Sequence, residues 1–352
     1  MRVAVLTSGG DAPGMNAVVR TVAIAGSARG WQVLGVRRGY DGLMRGDVIP
    51  LEYETVDGIT RLGGTILGSA RCAPFASPEG RAQASARVRE LGIDAIVVVG
   101  GNGSLTGAHL LAEGGACRVV GLPASIDNDI GHCGLAIGVD TAVNTIVEAC
   151  DRISDTARAH RRAFIVEVMG RQCGFLAMRA GIAAEADAIL YSERQPSEDG
   201  LVARLRDVLR RCLGPGGRHR RALIVKAEGV AVSTARLCER LQAHLHEDAP
   251  GVDIRPTILG HVVRGGNPSA MDRLIGQRLG YGAVLAIAAG LSDVMLGWDV
   301  ADTVGRETPD PYVRIIPLAD VLVETGRLLD GTSPLVRKRI ELLSQVEDLL
   351  AL

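Results

Sequence analysis

The chain has 352 residues, of which 47% are hydrophobic and 22% are charged, and its formal net charge at pH 7 is −1. This balance is typical of a globular protein with two lobes or one large α/β unit, and it excludes collagen-like, coiled-coil and disordered chains. A net charge near zero gives no overall field that would attract nucleic acid or an anionic membrane, and no apolar run reaches the roughly 18 residues of a membrane span.

Short apolar runs alternate with longer helical patterns along the chain. The predicted strands are 3–6, 32–36, 95–99, 118–122, 164–168, 188–191, 222–225 and 255–259. Helices are predicted near 14–28, 80–91, 104–114, 138–158, 174–184, 197–213, 233–246, 270–290 and 334–350. Continuous apolar runs are typical of strands covered on both faces. The alternation therefore predicts an α/β fold with a mostly parallel, doubly wound sheet.

Cysteine and lysine usage adds two expectations. The seven cysteines are scattered without a CxxC spacing, and no basic-then-apolar leader opens the chain. These features predict reduced thiols in a cytoplasmic protein. The two lysines, Lys226 and Lys338, both lie outside the glycine-rich segments. Bound phosphate would therefore meet arginine, backbone N–H groups or a metal ion.

Three glycine-rich segments lie between an apolar run and a helical pattern, at 8–16, 63–71 and 100–104. Glycine lets the backbone approach a ligand closely, and a helix N-terminus presents unpaired N–H groups to an anion. On neighbouring parallel strands, such loops would converge on one polyphosphate. Each one alone is equally consistent with an ordinary tight turn, and none matches the Walker A pattern.

Two carboxylates follow the predicted strand at 118–122. If the segment 123–129 is extended, Asp127 and Asp129 point the same way. One carboxylate would then serve as a base and the other as a ligand of Mg²⁺, which prefers oxygen donors. The alternative is a solvated acidic turn, although the strand and the glycines around it favour a functional site.

Arginines stand beside glycines at two further places, in 160–174 and in 255–268. The guanidinium fork suits phosphate because it bonds two oxygens at once. The alternative for each arginine is a surface ion pair, and the position at a strand end beside glycine favours phosphate binding.

In this order the segments resemble the motifs of the ATP-dependent 6-phosphofructokinase family. The matching residues are SGGDAPGMN at 8–16, GGTILGSAR at 63–71, SIDND at 125–129, VEVMGRQCG at 166–174 and LGHVVRGGNPSAMDR at 259–273. The resemblance runs from residue 1 to about residue 320. It implies two similar doubly wound lobes. Residues 1–138 with about 263–315 would bind nucleotide, and 139–262 with about 316–352 would bind the sugar phosphate.

The implied reaction is ATP-dependent phosphorylation of the 1-hydroxyl of fructose 6-phosphate, giving fructose 1,6-bisphosphate in glycolysis. Asp127 matches the base, Arg171 matches the arginine that stabilises the moving phosphoryl group, and Ser125 stands where the family has threonine. Asp129 matches a residue of the Mg²⁺ site, to which Asn102 also corresponds. The residues that match nucleotide contacts are Gly10, Arg71, Cys72, Gly101, Asn102, Gly103 and Ser104.

The resemblance also implies a substrate site shared between subunits of a homo-oligomer, either a dimer or a tetramer. Arg162 and Arg255 match two arginines that reach the substrate from a neighbouring subunit. The other residues that match sugar-phosphate contacts are Ser125, Asp127, Met169, Gly170, Arg171, Glu228, His261 and Arg264.

Departures from the family pattern leave alternatives open. Asn102 replaces an acidic residue that helps hold Mg²⁺, and Cys72 replaces an aromatic residue near the base. Pyrophosphate-using members carry Asp where Gly103 stands and Lys where Ala124 stands, so this chain favours a nucleotide donor. The alternatives are a kinase of another sugar phosphate, such as sedoheptulose 7-phosphate, or with another donor, and a non-catalytic sugar-phosphate-binding paralogue.

Overall fold

A computed structural model describes residues 1–194, 196–217, 220–301 and 303–350, with side chains through residue 346. Its strands are β1 (Arg2–Ser8), β2 (Gln32–Val36), β3 (Val48–Pro50), β4 (Ala95–Gly100), β5 (Arg118–Pro123), β6 (Ala163–Val168), β7 (Ala188–Leu190), β8 (Ala222–Ala227), β9 (Ile254–Ile258), β10 (Val294–Trp298), β11 (Arg306–Glu307) and β12 (Val313–Pro317).

The α-helices are α1 (Met15–Ser27), α2 (Gly39–Arg45), α3 (Tyr53–Val56), α4 (Pro78–Glu90), α5 (Asn102–Glu113), α6 (Val139–His160), α7 (Phe175–Ala183), α8 (Glu198–Leu213), α9 (Thr234–Asp248), α10 (Ala270–Ala288), α11 (Leu318–Leu329) and α12 (Pro334–Leu350). Serine side chains that accept a backbone N–H from the first turn start four of these helices, at Ser77, Ser197, Ser233 and Ser269. Serine is among the preferred residues at this position because it satisfies an N–H that the helix itself leaves unpaired.

The chain divides into two compact units. The first comprises Met1–Thr141 and Arg264–Asp330, and the second comprises Ala142–Val263 and Gly331–Leu352. Among the described residues, the sheet of the first unit has the order β11-β12-β10-β5-β4-β1-β2-β3, and the sheet of the second has the order β7-β8-β6-β9. The second sheet is parallel throughout, and the first is parallel from β10 to β2. The predicted α/β class with mostly parallel sheets is confirmed.

The central strands of the first sheet are fully covered. The segments Val3–Leu6 and Ala95–Val99 have no exposed side-chain surface. This agrees with their continuous apolar character, because a parallel sheet carries helices on both faces. In the second sheet, β9 is an edge strand, and its residues Arg255, Pro256 and Ile258 are exposed.

The end of the first unit differs from the expectation. The strands β10 and β12 and the helix α11 were not among the predicted elements, since β10 is a short run interrupted by Gly297 and β12 contains Arg314 and ends in proline. Because α11 packs against α5 and β12, the first unit extends to Asp330 rather than to about residue 315. None of the helices in the described part of the chain combines the length and apolar character that a bilayer crossing requires.

Candidate active site

Three strands of the first unit end side by side. In the sheet register Ser8 lies opposite Gly100, and Gly100 lies opposite Pro123. A Cβ atom on Gly100 would collide with the backbone oxygen of Ser8 and lie 2.6 Å from the Oγ atom of Ser104, so only glycine fits. The loops that follow β1, β4 and β5 therefore share one edge of the sheet, where open α/β sheets bind ligands.

The first glycine loop contacts Arg264. A Cβ atom on Gly10 would lie 2.8 Å from the Nη1 atom of Arg264, so the missing side chain leaves room for the guanidinium. The same Nη1 donates to the backbone oxygen of Asp11 at 3.5 Å. Arg264 is thereby brought next to the loops of the first unit that the sequence predicts to bind phosphate.

The glycine loop 63–71 is attached to α1 through Asn16, which the sequence analysis did not single out. The Nδ2 atom of Asn16 donates to the backbone oxygen of Leu62 at 3.1 Å, and its Oδ1 atom accepts from the N–H of Ile66 at 2.8 Å. Beyond this attachment the Arg71 side chain is exposed, and the Cys72 sulfur lies 3.6 Å from the Met44 sulfur. Asn16 is the last residue of the segment SGGDAPGMN, and that position was the sequence signal from which its role could have been predicted.

The helix α5 begins directly at the third glycine loop. Gly101 stands before its first turn, where no side chain of the described residues caps the helix, and accepts from the N–H of Ser104 at 2.9 Å. The hydroxyl of Tyr40 donates to the backbone oxygen of Ser104 at 2.7 Å. Burial raises the pKa of Tyr40 far above its usual value, so the hydroxyl stays a donor. The N–H groups of Asn102 and Gly103 precede this first hydrogen-bonded turn, and the start of a helix can present such groups to an anion.

The two carboxylates after β5 do not point the same way, and that expectation is wrong. The segment from 125 to 129 forms a turn, in which Asn128 has a left-handed φ of 51°. The Asn128 side chain holds this turn, donating to the Gly134 oxygen at 3.0 Å and accepting from the Ala136 N–H at 2.9 Å. The turn directs Asp127 and Asp129 to different partners.

Asp127 is 2% exposed and faces a guanidinium. Its Oδ2 atom lies 3.9 Å from the Nη2 atom of Arg264, whose side chain is 14% exposed. Low exposure strengthens the interaction of these charges relative to a pair in water. Asp127 is therefore a carboxylate held in place beside a cation at the end of a strand, which is an arrangement suited to a general base.

Asp129 faces two neutral donors instead. Its Oδ1 atom accepts from the Ser125 hydroxyl at 3.0 Å, and its Oδ2 atom accepts from the Asn102 Nδ2 atom at 3.0 Å. The Oδ1 atom of Asn102 is buried without a hydrogen-bond partner. A carboxylate and an unsatisfied amide oxygen at one place are donors of the type that Mg²⁺ takes.

In the second unit, Glu228 holds the segment after β6. Its Oε1 atom accepts from the N–H of Gly170 at 3.1 Å and from the N–H of Arg171 at 2.7 Å. Near the ends of the preceding strands β8 and β6, the buried Lys226 donates to Glu167 at 3.0 Å, and these two residues are register partners. The pair fixes the alignment of β6 and β8, and Glu228 then fixes the backbone that carries the exposed Arg171.

Two arginines that the sequence predicts to bind substrate lie close to one carboxylate at the edge of the second sheet. Asp253 lies between them, with Oδ2 at 2.9 Å from the Arg255 Nη2 atom and 3.9 Å from the Arg162 Nε atom. Arg255 is 55% exposed and Arg162 is 34% exposed. Both guanidinium groups are thus held together on an exposed edge of the second sheet.

The predicted site residues fall into two groups, one in each unit. The first unit holds Gly10, Arg71, Cys72, Gly101, Asn102, Gly103, Ser104, Ser125, Asp127, Asp129 and Arg264. The second unit holds Arg162, Met169, Gly170, Arg171, Glu228, Arg255 and His261. Of these, His261 is exposed and Met169 is buried. Each unit therefore holds its own set of the site residues that the sequence predicts.

Comparison with known proteins gives matches over most of the chain. Residues 2–287 match the family model described as phosphofructokinase. A protein of Thermotoga neapolitana named ATP-dependent 6-phosphofructokinase is 48% identical over 295 residues, which are 84% of this chain and 89% of the relative. A protein of Clostridium botulinum with the same name is 40% identical over 295 residues, covering 84% of this chain and 88% of the relative.

A solved structure gives a similar picture. The crystal structure of Pichia pastoris phosphofructokinase in the T-state superposes with a TM-score of 0.86 at 34% identity. The match covers 98% of this chain but 39% of the Pichia chain, which is much longer.

Proposed function

The chain belongs to the phosphofructokinase family, and we propose that it transfers the terminal phosphoryl group of ATP to the 1-hydroxyl of fructose 6-phosphate. The relatives at 48% and 40% identity carry the name of this activity. The observation in the chain itself that carries the proposal is the buried Asp127 carboxylate, which lies in the turn after β5 and 3.9 Å from the Arg264 guanidinium.

Asp127 would act as the general base. Its carboxylate takes the proton from the sugar 1-hydroxyl while the hydroxyl oxygen bonds to the terminal phosphorus, and the bond from that phosphorus to the bridging oxygen breaks to release ADP. Catalysis of phosphoryl transfer is mainly positioning and charge neutralisation. Arg171 would neutralise the transferred group, and the Ser125 hydroxyl would lie near it.

The donor phosphates would bind at the start of α5. A Cβ atom on Gly103 would meet no other atom within 4 Å, so the backbone there is open to a ligand. Gly10, Gly101 and Ser104 border the same loops, and Arg71 would supply a cation. Cys72, which follows Arg71, would lie toward the nucleotide base.

Asp129 and Asn102 would hold Mg²⁺. Their oxygens fit the ion, since one is an anion and the other is a buried acceptor without a hydrogen-bond partner. Within the described residues no three His, Cys, Asp or Glu side chains cluster as metal ligands, so phosphate oxygens would complete the site. When bound, Mg²⁺ supplies positive charge to the donor phosphates.

The residues that would contact the sugar phosphate, as the family resemblance implies, are Met169, Gly170, Arg171, Glu228, His261 and Arg264. Arg162 and Arg255 would act on a neighbouring copy in a homo-oligomer. The exposed edge strand β9 supports this proposal, because the apolar side chains of Ile258 at its end and of Val262 just after it are 65% and 68% exposed. Exposed apolar side chains along the edge strand of a sheet favour contact with another chain.

We also place the protein in the cytoplasm, as its scattered cysteines indicate. Cys72, Cys117 and Cys212 are free thiols, and burial raises the pKa of both Cys117 and Cys212 to about 12. Free thiols, rather than disulfides, are typical of a reducing compartment.

A grid of donors and acceptors tests the activity. ATP and pyrophosphate are each offered with fructose 6-phosphate and sedoheptulose 7-phosphate at equal Mg²⁺, and product is measured directly. We expect ATP with fructose 6-phosphate to give the highest kcat/KM. A higher kcat/KM with sedoheptulose 7-phosphate would reassign the acceptor, and no turnover in any combination would favour the non-catalytic paralogue.

Gly103→Asp is expected to lower kcat/KM for ATP at least about tenfold, because a carboxylate in the open space would repel the donor phosphates. Gly103→Asn is the matched control, since it adds the same volume without the charge. Unchanged use of ATP by the Asp variant, or higher activity of the wild type with pyrophosphate, would contradict the proposed donor site.

Asn102→Asp tests the metal site without relying on turnover. The change would place a second carboxylate where the amide now lies 3.0 Å from Asp129. Like charges this close repel, so we expect a lower Tm without Mg²⁺, a larger rise in Tm on adding Mg²⁺, and a lower Mg²⁺ requirement for the reaction. Gln277→Glu, the same amide-to-acid change on α10, is the control. An equal response of Tm to Mg²⁺ in the Asn102→Asp variant and the wild type would mean that Asn102 does not face the metal.

A further inference from the structure

Asp272, in the first turn of α10, is a fully buried carboxylate that the proposed reaction does not use. Its Oδ1 atom accepts from the N–H of Gly138 at 2.8 Å, and its Oδ2 atom accepts from the N–H of Thr141 at 2.8 Å and from the Thr141 hydroxyl at 2.5 Å. Burial raises the pKa of Asp272 to about 6, against the opposing effect of these hydrogen bonds. A buried carboxylate is costly unless donors of this kind surround it.

Ser269 closes a ring of hydrogen bonds with these residues. Its Oγ atom accepts from the N–H of Asp272 at 3.2 Å, and its own N–H donates to the Thr141 hydroxyl oxygen at 2.9 Å. The Thr141 hydroxyl thus donates to Asp272 and accepts from Ser269. We call Thr141, Ser269 and Asp272 the Thr141 ring. Because each member both gives and takes a hydrogen bond, the ring constrains its segments more tightly than separate contacts would.

The Thr141 ring joins the two segments that carry the base and its neighbouring cation. On one side the ring holds Gly138. A Cβ atom on Gly138 would lie 2.7 Å from Ala12 and 3.3 Å from Ile126, so this glycine packs closely against both residues. Ile126 is the residue before Asp127. On the other side it holds Ser269, at the end of the loop that begins with Arg264. All of these residues belong to the first unit.

The loop between Arg264 and Ser269 needs such an anchor. It contains two consecutive glycines, Gly265 and Gly266, which restrict the backbone less than any other residue. The position of the Arg264 guanidinium, 3.9 Å from Asp127, therefore depends on what holds the loop at its ends. The Thr141 ring ties the Ser269 end to the segment that follows Asp127.

We propose that Asp272 is a positioning residue, which sets the place of Arg264 relative to Asp127 through Thr141 and Ser269. The inference rests on the proposed function, in which Asp127 takes the proton and Arg264 contacts the sugar phosphate. A misplacement of about 1 Å in such a constellation costs up to about 100-fold in rate.

Thr141→Val tests the ring without removing the buried carboxylate. Valine matches the shape of threonine but breaks the hydroxyl's bonds to Asp272 and Ser269. We expect kcat to fall about tenfold and KM for the sugar phosphate to rise, while KM for ATP stays within about twofold. Thr141→Ser keeps the hydroxyl and should restore both values. Thr308→Val, which removes the hydroxyl bonds of the turn before β12, is the control for general destabilisation.

A double-mutant cycle separates positioning from mere stability. In an Arg264→Ala background, measured at saturating sugar phosphate, Thr141→Val should change kcat by less than about twofold, because its effect runs through Arg264. The same tenfold loss in both backgrounds would overturn the proposal.

Hydrogen exchange provides a readout that needs no substrate. In the free protein, the amides of 264–269 should exchange at least about tenfold faster in Thr141→Val than in the wild type or Thr308→Val. Equal exchange would overturn the role of the ring whatever reaction the enzyme catalyses. A wild type that fails to phosphorylate any sugar phosphate would instead refute the proposed function, while the exchange measurement still decides whether the ring anchors the Arg264 loop.

Discussion

We expect kcat to fall by about 10²- to 10⁴-fold when Asp127 is replaced by asparagine, the range for loss of a general base. Asparagine has nearly the same shape and can stay beside Arg264, but its amide cannot accept the proton of the sugar hydroxyl. Binding of fructose 6-phosphate should change little, since the carboxylate acts on the proton rather than on the phosphate. Steady-state kinetics measure the first effect, and titration calorimetry measures the second.

Asp94→Asn is the matched control for this experiment. Asp94 lies just before the first residue of the neighbouring strand β4, at the edge of the sheet opposite to the site. Its Oδ2 atom accepts from the backbone N–H of Arg2 at 2.7 Å. The same chemical change there should leave kcat within about twofold, as surface substitutions usually do. An Asp127→Asn enzyme that keeps more than a tenth of wild-type kcat would show that another group takes the proton.

The second large effect is a recovery of activity on mixing two inactive proteins. Arg162→Ala and Asp127→Ala should each be inactive alone if Arg162 serves the site of a neighbouring copy. After subunit exchange, a hybrid dimer contains one site with both lesions and one site with neither. Random assortment then gives about a quarter of wild-type activity, because half the dimers are hybrids with one intact site of two.

A mixture of Asp127→Ala with Asp129→Ala is the control for this complementation. Both lesions lie in the first unit, on the same turn after β5, so every site in a hybrid carries one of them. We therefore expect no recovery from this pair, while co-purification through a tag on one partner proves that hybrids form. Failure of the Arg162→Ala and Asp127→Ala pair to recover, in proven hybrids, would rule out sharing through Arg162.

The positions of Arg162 and Arg255 on one exposed edge support the expected complementation. Both guanidinium groups are within 4 Å of one carboxylate, Asp253, so their position is already set in the single chain. Two guanidinium groups held close together at an exposed edge of a sheet can bind a doubly charged anion such as a phosphate. Their joint placement could not be predicted from spacing, because Arg162 precedes β6 while Arg255 lies on β9, more than 90 residues later in the chain.

The core strands and the order of the loops were readable in the sequence. The apolar runs in β1 and β4 predict buried parallel strands because helices cover both faces, and the structure leaves those residues without exposed surface. The glycine segments then lie where strands end, as the alternation of strand and helix predicts. Local composition contains this information because burial and turns act on neighbouring residues.

The tertiary structure decided how the side chains of the site are aimed. A turn at Asn128, with a φ of 51°, sends Asp127 toward Arg264 and Asp129 toward Asn102, whereas an extended segment would have aimed them together. The Thr141 ring joins residues that are 131 and 128 positions apart, although the Ser-x-x-Asp pattern at 269–272 predicts a helix start locally.

By itself, then, the sequence determined the α/β class, the parallel strands and the candidate residues of a phosphoryl-transfer site. The tertiary structure alone decided which of those residues face one another, and it added Asn16, Tyr40 and Asp272 as the groups that hold them. The physical reason is how far apart in the sequence the contacting residues lie. Helix and strand patterns arise from contacts between residues that are a few positions apart. The aim of a side chain depends on hydrogen bonds between segments that meet only in the folded chain.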